Sequence, residues 1–257
     1  MDASGPAARI GVLCALPEEL DLFREEMERA SSRLHGGTEV ILGRLDGLPV
    51  AVAETGIGKV NAAITATVLC ERYDCDRLLL SGVAGAVDPS LTVGDVVVGT
   101  RVVQHDYGRI TDAERITYQP GGMPFPGARD RVGWHLPEDL LARVREALGE
   151  EPLPGVRARA GTERHVPVVR FGTIVTGDMF VASDVAREDL RRQFDALAVE
   201  MEGGAVVQVA ERYGARWLVV RAVSDLAGHD GAVDFAIFLE DAARTAATLV
   251  RRLAPVL

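Results

Sequence analysis

Cysteine is scarce in this sequence: Cys14, Cys70 and Cys75 are the only three among 257 residues. An odd number without CxxC spacing excludes a disulfide framework and suits buried thiols in a reducing compartment. Metal-ligand patterns are missing too. The five histidines are scattered, with no HExxH and no Cys/His cluster, so no metal is expected. Basic residues are outnumbered, 28 Lys and Arg against 38 Asp and Glu, for a net charge of −10. That balance argues against a nucleic-acid binder, which needs a basic face for phosphates. It leaves room for a small ligand in a pocket. No apolar run is long enough to span a bilayer; Ile10–Leu16 stops at Pro17-Glu18-Glu19. The N-terminus lacks the basic flank of a signal peptide. A cytoplasmic protein with no membrane partner is expected.

What is present is an alternation of strand-like and helix-like stretches. Arg9–Cys14 is an apolar run of strand length, and Pro17 with two carboxylates behind it opens a helix expected to reach about Ala30. Val40–Arg44 and Leu48–Ala53 flank Asp46-Gly47, a hairpin turn signal. Thr55-Gly56-Ile57-Gly58 leads into a helix over Lys59–Tyr73, without completing either a P-loop or a dinucleotide fingerprint. Arg77–Leu80 is a strand ending in the small residues Ser81–Ala86, and Val96 opens another that reaches about Gln104. From His105 to Trp134 periodicity disappears, and the Pro/Gly-rich Tyr118–Gly127 reads as a lid, a partner contact or an ordinary surface loop. Helices follow over Pro137–Leu148, from Ser183-Asp184 to Phe194, and over Phe235–Leu253, with a strand region at Val166–Val175. One domain over 1–257 is expected, α/β in class, with three α/β/α layers around a central mixed sheet.

Three acids sit just past strand-like runs: Glu19, Glu202 and Asp225. In open α/β sheets ligands bind beyond the carboxyl ends of strands, which would gather these acids with Arg221 around a ligand. Acids there also cap helices or compensate their dipoles, and each one alone fits that reading about as well. The small residues around Ala84 and Gly85 allow either a ligand or a neighbouring element to lie close against the backbone.

Taken in order, the motifs resemble the purine nucleoside phosphorylase superfamily, and within it the 5'-methylthioadenosine/S-adenosylhomocysteine nucleosidases. The matching stretches are Ile10-Gly11-Val12 through Leu20, Thr55–Ala63, Gly82-Val83-Ala84-Gly85, Val93–Val97, His105-Asp106, Thr176–Phe180, Val199–Glu202 and Val220–Asp225. Each is weak alone; the ordered set spans nearly the whole chain.

The resemblance implies a nucleoside phosphorylase-like fold, a homodimer, no cofactor, and hydrolysis of an adenine nucleoside to adenine and a 5-substituted ribose. It implies that Asp225 protonates purine N7, Glu19 activates water, and Glu202 binds the ribose hydroxyls. Met201 would lie against the sugar, Arg221 would bridge the ribose and water, and Phe180 would stack on the base. Val181 would read the base edge through its backbone. Leu16, Ile57, Ala84, Gly85, Ser224 and Phe235 would line the site. A phosphorylase is disfavoured because Glu19 would repel phosphate, and because the arginine-containing Gly-Asp-Pro phosphate motif of related phosphorylases is absent. Val83 stands where the nucleosidases usually carry a small hydroxyl residue, which keeps a non-catalytic nucleoside sensor in view. Futalosine hydrolase is the alternative within the class; a carboxylic acid at 225 suits a 6-aminopurine better than its 6-oxopurine.

Overall fold

A computed structural model describes residues 10–122, 132–149, 151–157 and 164–257. Strands β1 (Ile10–Cys14), β2 (Glu28–His35), β3 (Thr38–Leu45), β4 (Leu48–Glu54), β5 (Arg77–Ala86) and β6 (Val96–Gln104) come first. Short strands β7 (Gly108–Ile110), β8 (Arg115–Thr117), β9 (Trp134–His135), β10 (Val156–Arg157) and β11 (Arg164–His165) follow. The last three are β12 (Val169–Thr176), β13 (Ala196–Glu200) and β14 (Arg216–Asp225). Helices are α1 (Pro17–Glu26), α2 (Lys59–Tyr73), α3 (Glu138–Leu148), α4 (Asp184–Phe194), α5 (Gly203–Tyr213) and α6 (Gly231–Leu253).

The main sheet runs β13-β12-β6-β14-β5-β1-β4-β3-β2, with β9 added beside β6. Its centre, β4, β1, β5 and β14, is parallel, and β6 turns antiparallel to β14. The central strands are continuous apolar runs because helices cover both faces: every residue of β1 is buried. Helices α2 and α5 pack together on one face, while α1 and α3 pack on α6, which lies across β14 and β5. The mixed sheet in three layers is as expected.

Five details differ from expectation. The first helix ends at Glu26, because Met27 turns extended (φ −91°, ψ 143°) to place its side chain in the core. Residues 28–35 then pair antiparallel with β3, Glu28 opposite Arg44 and His35 opposite Thr38. Their polar run, Glu28-Arg29-Ala30-Ser31-Ser32-Arg33, lacks the apolar alternation that identifies a strand. The small residues 81–86 continue β5 instead of ending it, and α6 starts at Gly231, before Phe235. Finally, the sheet is not open throughout. Gly85 and Ala86 of β5 pair antiparallel with Val199 and Ala198 of β13, closing β13, β12, β6, β14 and β5 into a five-stranded ring. Small residues permit that approach.

The Asp46-Gly47 hairpin forms with φ of 50° and 80°, the left-handed pair that a two-residue turn requires. Ser183 caps α4, its Oγ accepting the Ala186 amide at 3.3 Å. All three cysteines are free and buried. Part of the Pro/Gly-rich segment, residues 123–127, lies outside the described residues. Among the described residues no helix is long and apolar enough to cross a membrane.

Candidate active site

Glu19 stands in the first turn of α1, reached directly from the end of β1. Its Oε2 accepts the backbone amides of Ala15 at 2.7 Å and Leu16 at 3.2 Å, so the side chain does cap its own helix. The other oxygen accepts the Val83 amide of β5 at 3.1 Å. The capping and functional readings are therefore two uses of one carboxylate. Glu19 is 2% exposed. Burial raises its pKa, against the Arg221 charge and the three amides, which pull it down. Val83 contributes its N–H, a contact indifferent to whether its side chain carries a hydroxyl.

Arg221 lies inside β14, opposite Gly82 of β5 and Val97 of β6, and is 1% exposed. It is thus within a strand, not beyond a strand end. Its Nη2 donates to Glu200 and, at 2.9 Å, to Glu202 Oε2, while Nη1 donates to the Ser81 carbonyl at 3.3 Å. Burial works against its charge, but Glu200, Glu202 and Glu19 outweigh burial and hold it protonated. Gly82 makes the arrangement possible. A Cβ there would lie 2.1 Å from Arg221 Nη1 and 2.6 Å from Glu19 Oε1, so guanidinium and carboxylate both rest against one bare Cα.

Glu202 precedes α5 and reaches across to the start of α2. Its Oε1 accepts the Gly58 amide at 2.8 Å. Burial raises its pKa, helped by Glu200 and Glu19 and opposed by Arg221 and the Gly58 amide. Glu200, at the end of β13, is more heavily bonded than any acid named from the sequence. It accepts the amides of Glu202 and Gly203 at 3.0 and 2.7 Å, the Thr176 hydroxyl and Arg221. Glu200 is not among the acids expected from the sequence, where it stands two residues before Glu202 in one motif. The available signal was its placement at a strand end, the same one used for the other three.

Asp225 closes β14 and is 2% exposed. Its Oδ1 accepts the Ala227 amide at 2.8 Å, and the Ser224 hydroxyl lies 3.0 Å from Oδ2. Ala227 holds φ at 50°, an uncommon value for a residue with a Cβ. Burial raises the Asp225 pKa; the Ala227 and Ser224 hydrogen bonds lower it and Asp234 raises it further. A Cβ at Gly85 would come within 2.9 Å of Oδ1, so glycine there leaves the carboxyl its room.

One pocket brings these groups together. Glu19, Glu200, Glu202, Arg221 and Asp225 share it with Leu16, Ile57, Ala84, Gly85, Phe180, Val181, Met201, Ser224 and Phe235. Every residue singled out from the sequence lines it. The aromatic wall is half open: Phe180 is 49% exposed and meets Phe235 edge-on, ring centroids 6.0 Å apart. Four buried acids accompany a single buried cation, Arg221, and burial pushes Glu19, Glu202 and Asp225 towards their neutral forms. No group of three or more potential metal ligands occurs among the described residues.

The family model for the phosphorylase superfamily matches residues 9–255. A 5'-methylthioadenosine/S-adenosylhomocysteine nucleosidase of Mycobacterium bovis is 40% identical over 251 residues, covering 98% of both chains. Among solved structures, the futalosine hydrolase of Helicobacter pylori superposes with a TM-score of 0.82 at 28% identity, over 98% of this chain and 99% of the other. The nucleosidase of Neisseria meningitidis in complex with methylthio-immucillin-A gives 0.79 at 30% identity, over 96% and 99%.

Proposed function

Since the chain belongs to the phosphorylase superfamily, in its 5'-methylthioadenosine/S-adenosylhomocysteine nucleosidase branch, we propose that it hydrolyses the N-glycosidic bond of 5'-substituted adenine nucleosides. Asp225 gives its proton to purine N7 while the C1'–N9 electron pair passes to the base. Glu19 takes a proton from the water whose oxygen bonds to C1'. Glu202 accepts hydrogen bonds from the ribose hydroxyls, and Phe180 and Phe235 hold the purine.

The chemistry demands this division. Adenine leaves poorly as an anion, so protonation accompanies cleavage, and an acid raised by burial is still protonated nearer neutral pH. Positive charge develops on the ribosyl ring, as in other glycoside hydrolyses, and the acidic cavity stabilises it. The observation that carries the hydrolase reading is Glu19, fixed by three amides beside Arg221 and occupying the guanidinium's surroundings with negative charge. Phosphate entering there would meet carboxylates where it needs donors.

Base release from 5'-methylthioadenosine, adenosylhomocysteine, 5'-deoxyadenosine and futalosine, each with and without phosphate, tests the reading. Adenine release independent of phosphate is expected; strict phosphate dependence would make the protein a phosphorylase, and tight binding without turnover a sensor. The Helicobacter futalosine hydrolase likeness supports a second reading, which the futalosine arm decides.

The same reading includes a homodimer in the cytoplasm. Val60 and Ile64 are exposed on one face of α2, and Tyr213 of α5 lines the same surface groove as Val60, which supports burial against a second copy. The free, buried thiols support a reducing compartment. Sedimentation at twice the 27.5 kDa chain mass is the expected result for the dimer.

A further inference from the structure

Groups outside the pocket hydrogen-bond to the segments that carry two of its walls. Helix α2 begins at Lys59 after Gly58, with no side chain of its own capping it. Its first free amides are taken instead by two carboxylates from elsewhere in the fold. Gly58 N–H donates to Glu202 Oε1 at 2.8 Å, and Lys59 N–H donates to Asp178 Oδ1 at 2.8 Å. Both carboxylates are favoured by the positive end of the helix dipole.

Asp178 belongs to the loop between β12 and α4, immediately before Met179, Phe180 and Val181. A third loop completes a closed circuit. Asp106, just after β6, accepts the Asp178 amide on Oδ2 at 2.9 Å and the Lys59 ammonium on Oδ1 at 2.6 Å. Lys59 Nζ also lies 3.7 Å from Asp178 Oδ2. The side chains of Lys59 and Asp106 are each only 17% exposed. Burial raises the Asp106 pKa, but the Lys59 and Asp178 hydrogen bonds outweigh it and keep the carboxyl below its ordinary value. Gly58 belongs to the same arrangement: at φ 98°, a Cβ would stand 3.2 Å from Asp178 Oδ1.

We propose that Lys59, Asp106 and Asp178 form a positioning ring that sets the distance between the purine-stacking loop and the ribose carboxylate Glu202. One helix end holds Glu202 through residue 58 and the Phe180 loop through residue 59. Phe180, Met179 and Ile57 are each about half exposed, so packing alone does not hold them. None of the ring residues lines the pocket. The inference rests on the adenine-nucleoside reading, and wild-type turnover of 5'-methylthioadenosine establishes that reading first.

The test is steady-state kinetics on Asp106→Asn, Asp178→Asn and Lys59→Met, with calorimetric titration of adenine alone. A stacking loop that contributes uniform binding raises KM when displaced and leaves kcat nearly unchanged. Each variant is expected to raise KM and the adenine Kd about tenfold while kcat changes less than about threefold. The double variant Lys59→Met/Asp106→Asn is expected to lose no more than the worse single variant, because the ring acts as a unit. Lys59→Arg, which keeps the charge, should recover part of the adenine affinity even if Lys59→Met folds poorly. Unchanged KM and adenine Kd in folded variants would overturn the ring, as would kcat losses matching the KM increases. Failure of wild-type turnover would overturn the nucleosidase reading instead.

Discussion

The two sides of the pocket are built in opposite ways. On the ribose and water side, Glu19, Glu200, Glu202 and Arg221 are all at most 5% exposed, and the chain's own amides, hydroxyl and guanidinium meet them without any ligand. On the base side only Asp225 is built that way; the stacking wall of Phe180 and Met179 is about half exposed, with Phe180 edge-on to Phe235. Charge needs preorganised partners to be tolerated in a low-dielectric interior, so the charged side is finished at folding. A stacking surface needs only to be nearby, and a half-open one lets substrate enter. Errors among the buried, hydrogen-bonded groups, Asp225 included, should therefore cost turnover or stability, and errors in the half-open stacking wall should cost affinity.

The largest effects fall on the two groups assigned proton transfer. Asp225→Asn and Glu19→Gln should each lower kcat by about 10²-fold or more, with thermal melting close to wild type; a wild-type rate in either removes the role given to it. Gly82→Ala comes next. Its Cβ must displace Arg221 Nη1 from 2.1 Å or Glu19 Oε1 from 2.6 Å, so kcat and melting temperature should both fall. A silent Gly82→Ala would show that the two groups do not need their present spacing. Glu200→Gln removes the acid that holds Arg221, Thr176 and two amides. Breaking one partner of a buried ion pair costs about 3–5 kcal/mol, and chemical denaturation would measure it. Phe180→Ala should separate the two sides most clearly: KM rises about tenfold while kcat changes little. A comparable fall in kcat would mean that the base wall takes part in the chemistry.

The smallest expected effect concerns pH. The proposed mechanism needs Asp225 protonated, so the alkaline limb of kcat/KM should fall as pH rises through its raised pKa. Asp234 contributes to that rise. Asp234→Asn removes the nearby negative charge, lowers the Asp225 pKa and moves the alkaline limb to lower pH. A limb that stays in place would assign it to another group.

Much of the site was legible because its acids follow strand-like runs and its motifs keep their order along the chain. What was not legible depends on contacts between distant elements. The second strand, 28–35, is polar and edge-placed, so its pairing with β3 leaves little trace in hydrophobic period. The contact of Gly82 with Arg221 joins positions 139 apart, and nothing local distinguishes that glycine from its neighbour Gly85. Closure of β5 onto β13 likewise appears in the sequence only as a run of small residues, equally suited to a ligand. Glu200 was hidden by adjacency to Glu202, whose side chain goes to a different loop. Half of the segment given the lid reading, residues 123–127, falls outside the described residues.

The division between Asp225 and Glu19 is tested most directly with a leaving group that needs no proton. A 5-methylthio-β-riboside of p-nitrophenol releases p-nitrophenolate, a stable anion. Asp225→Asn should hydrolyse it at a rate within about tenfold of wild type, although it has lost activity on 5'-methylthioadenosine. Glu19→Gln should lose both activities. Equal loss of the p-nitrophenyl substrate in the two variants would contradict the account, since Asp225 would then be doing something other than protonating the base.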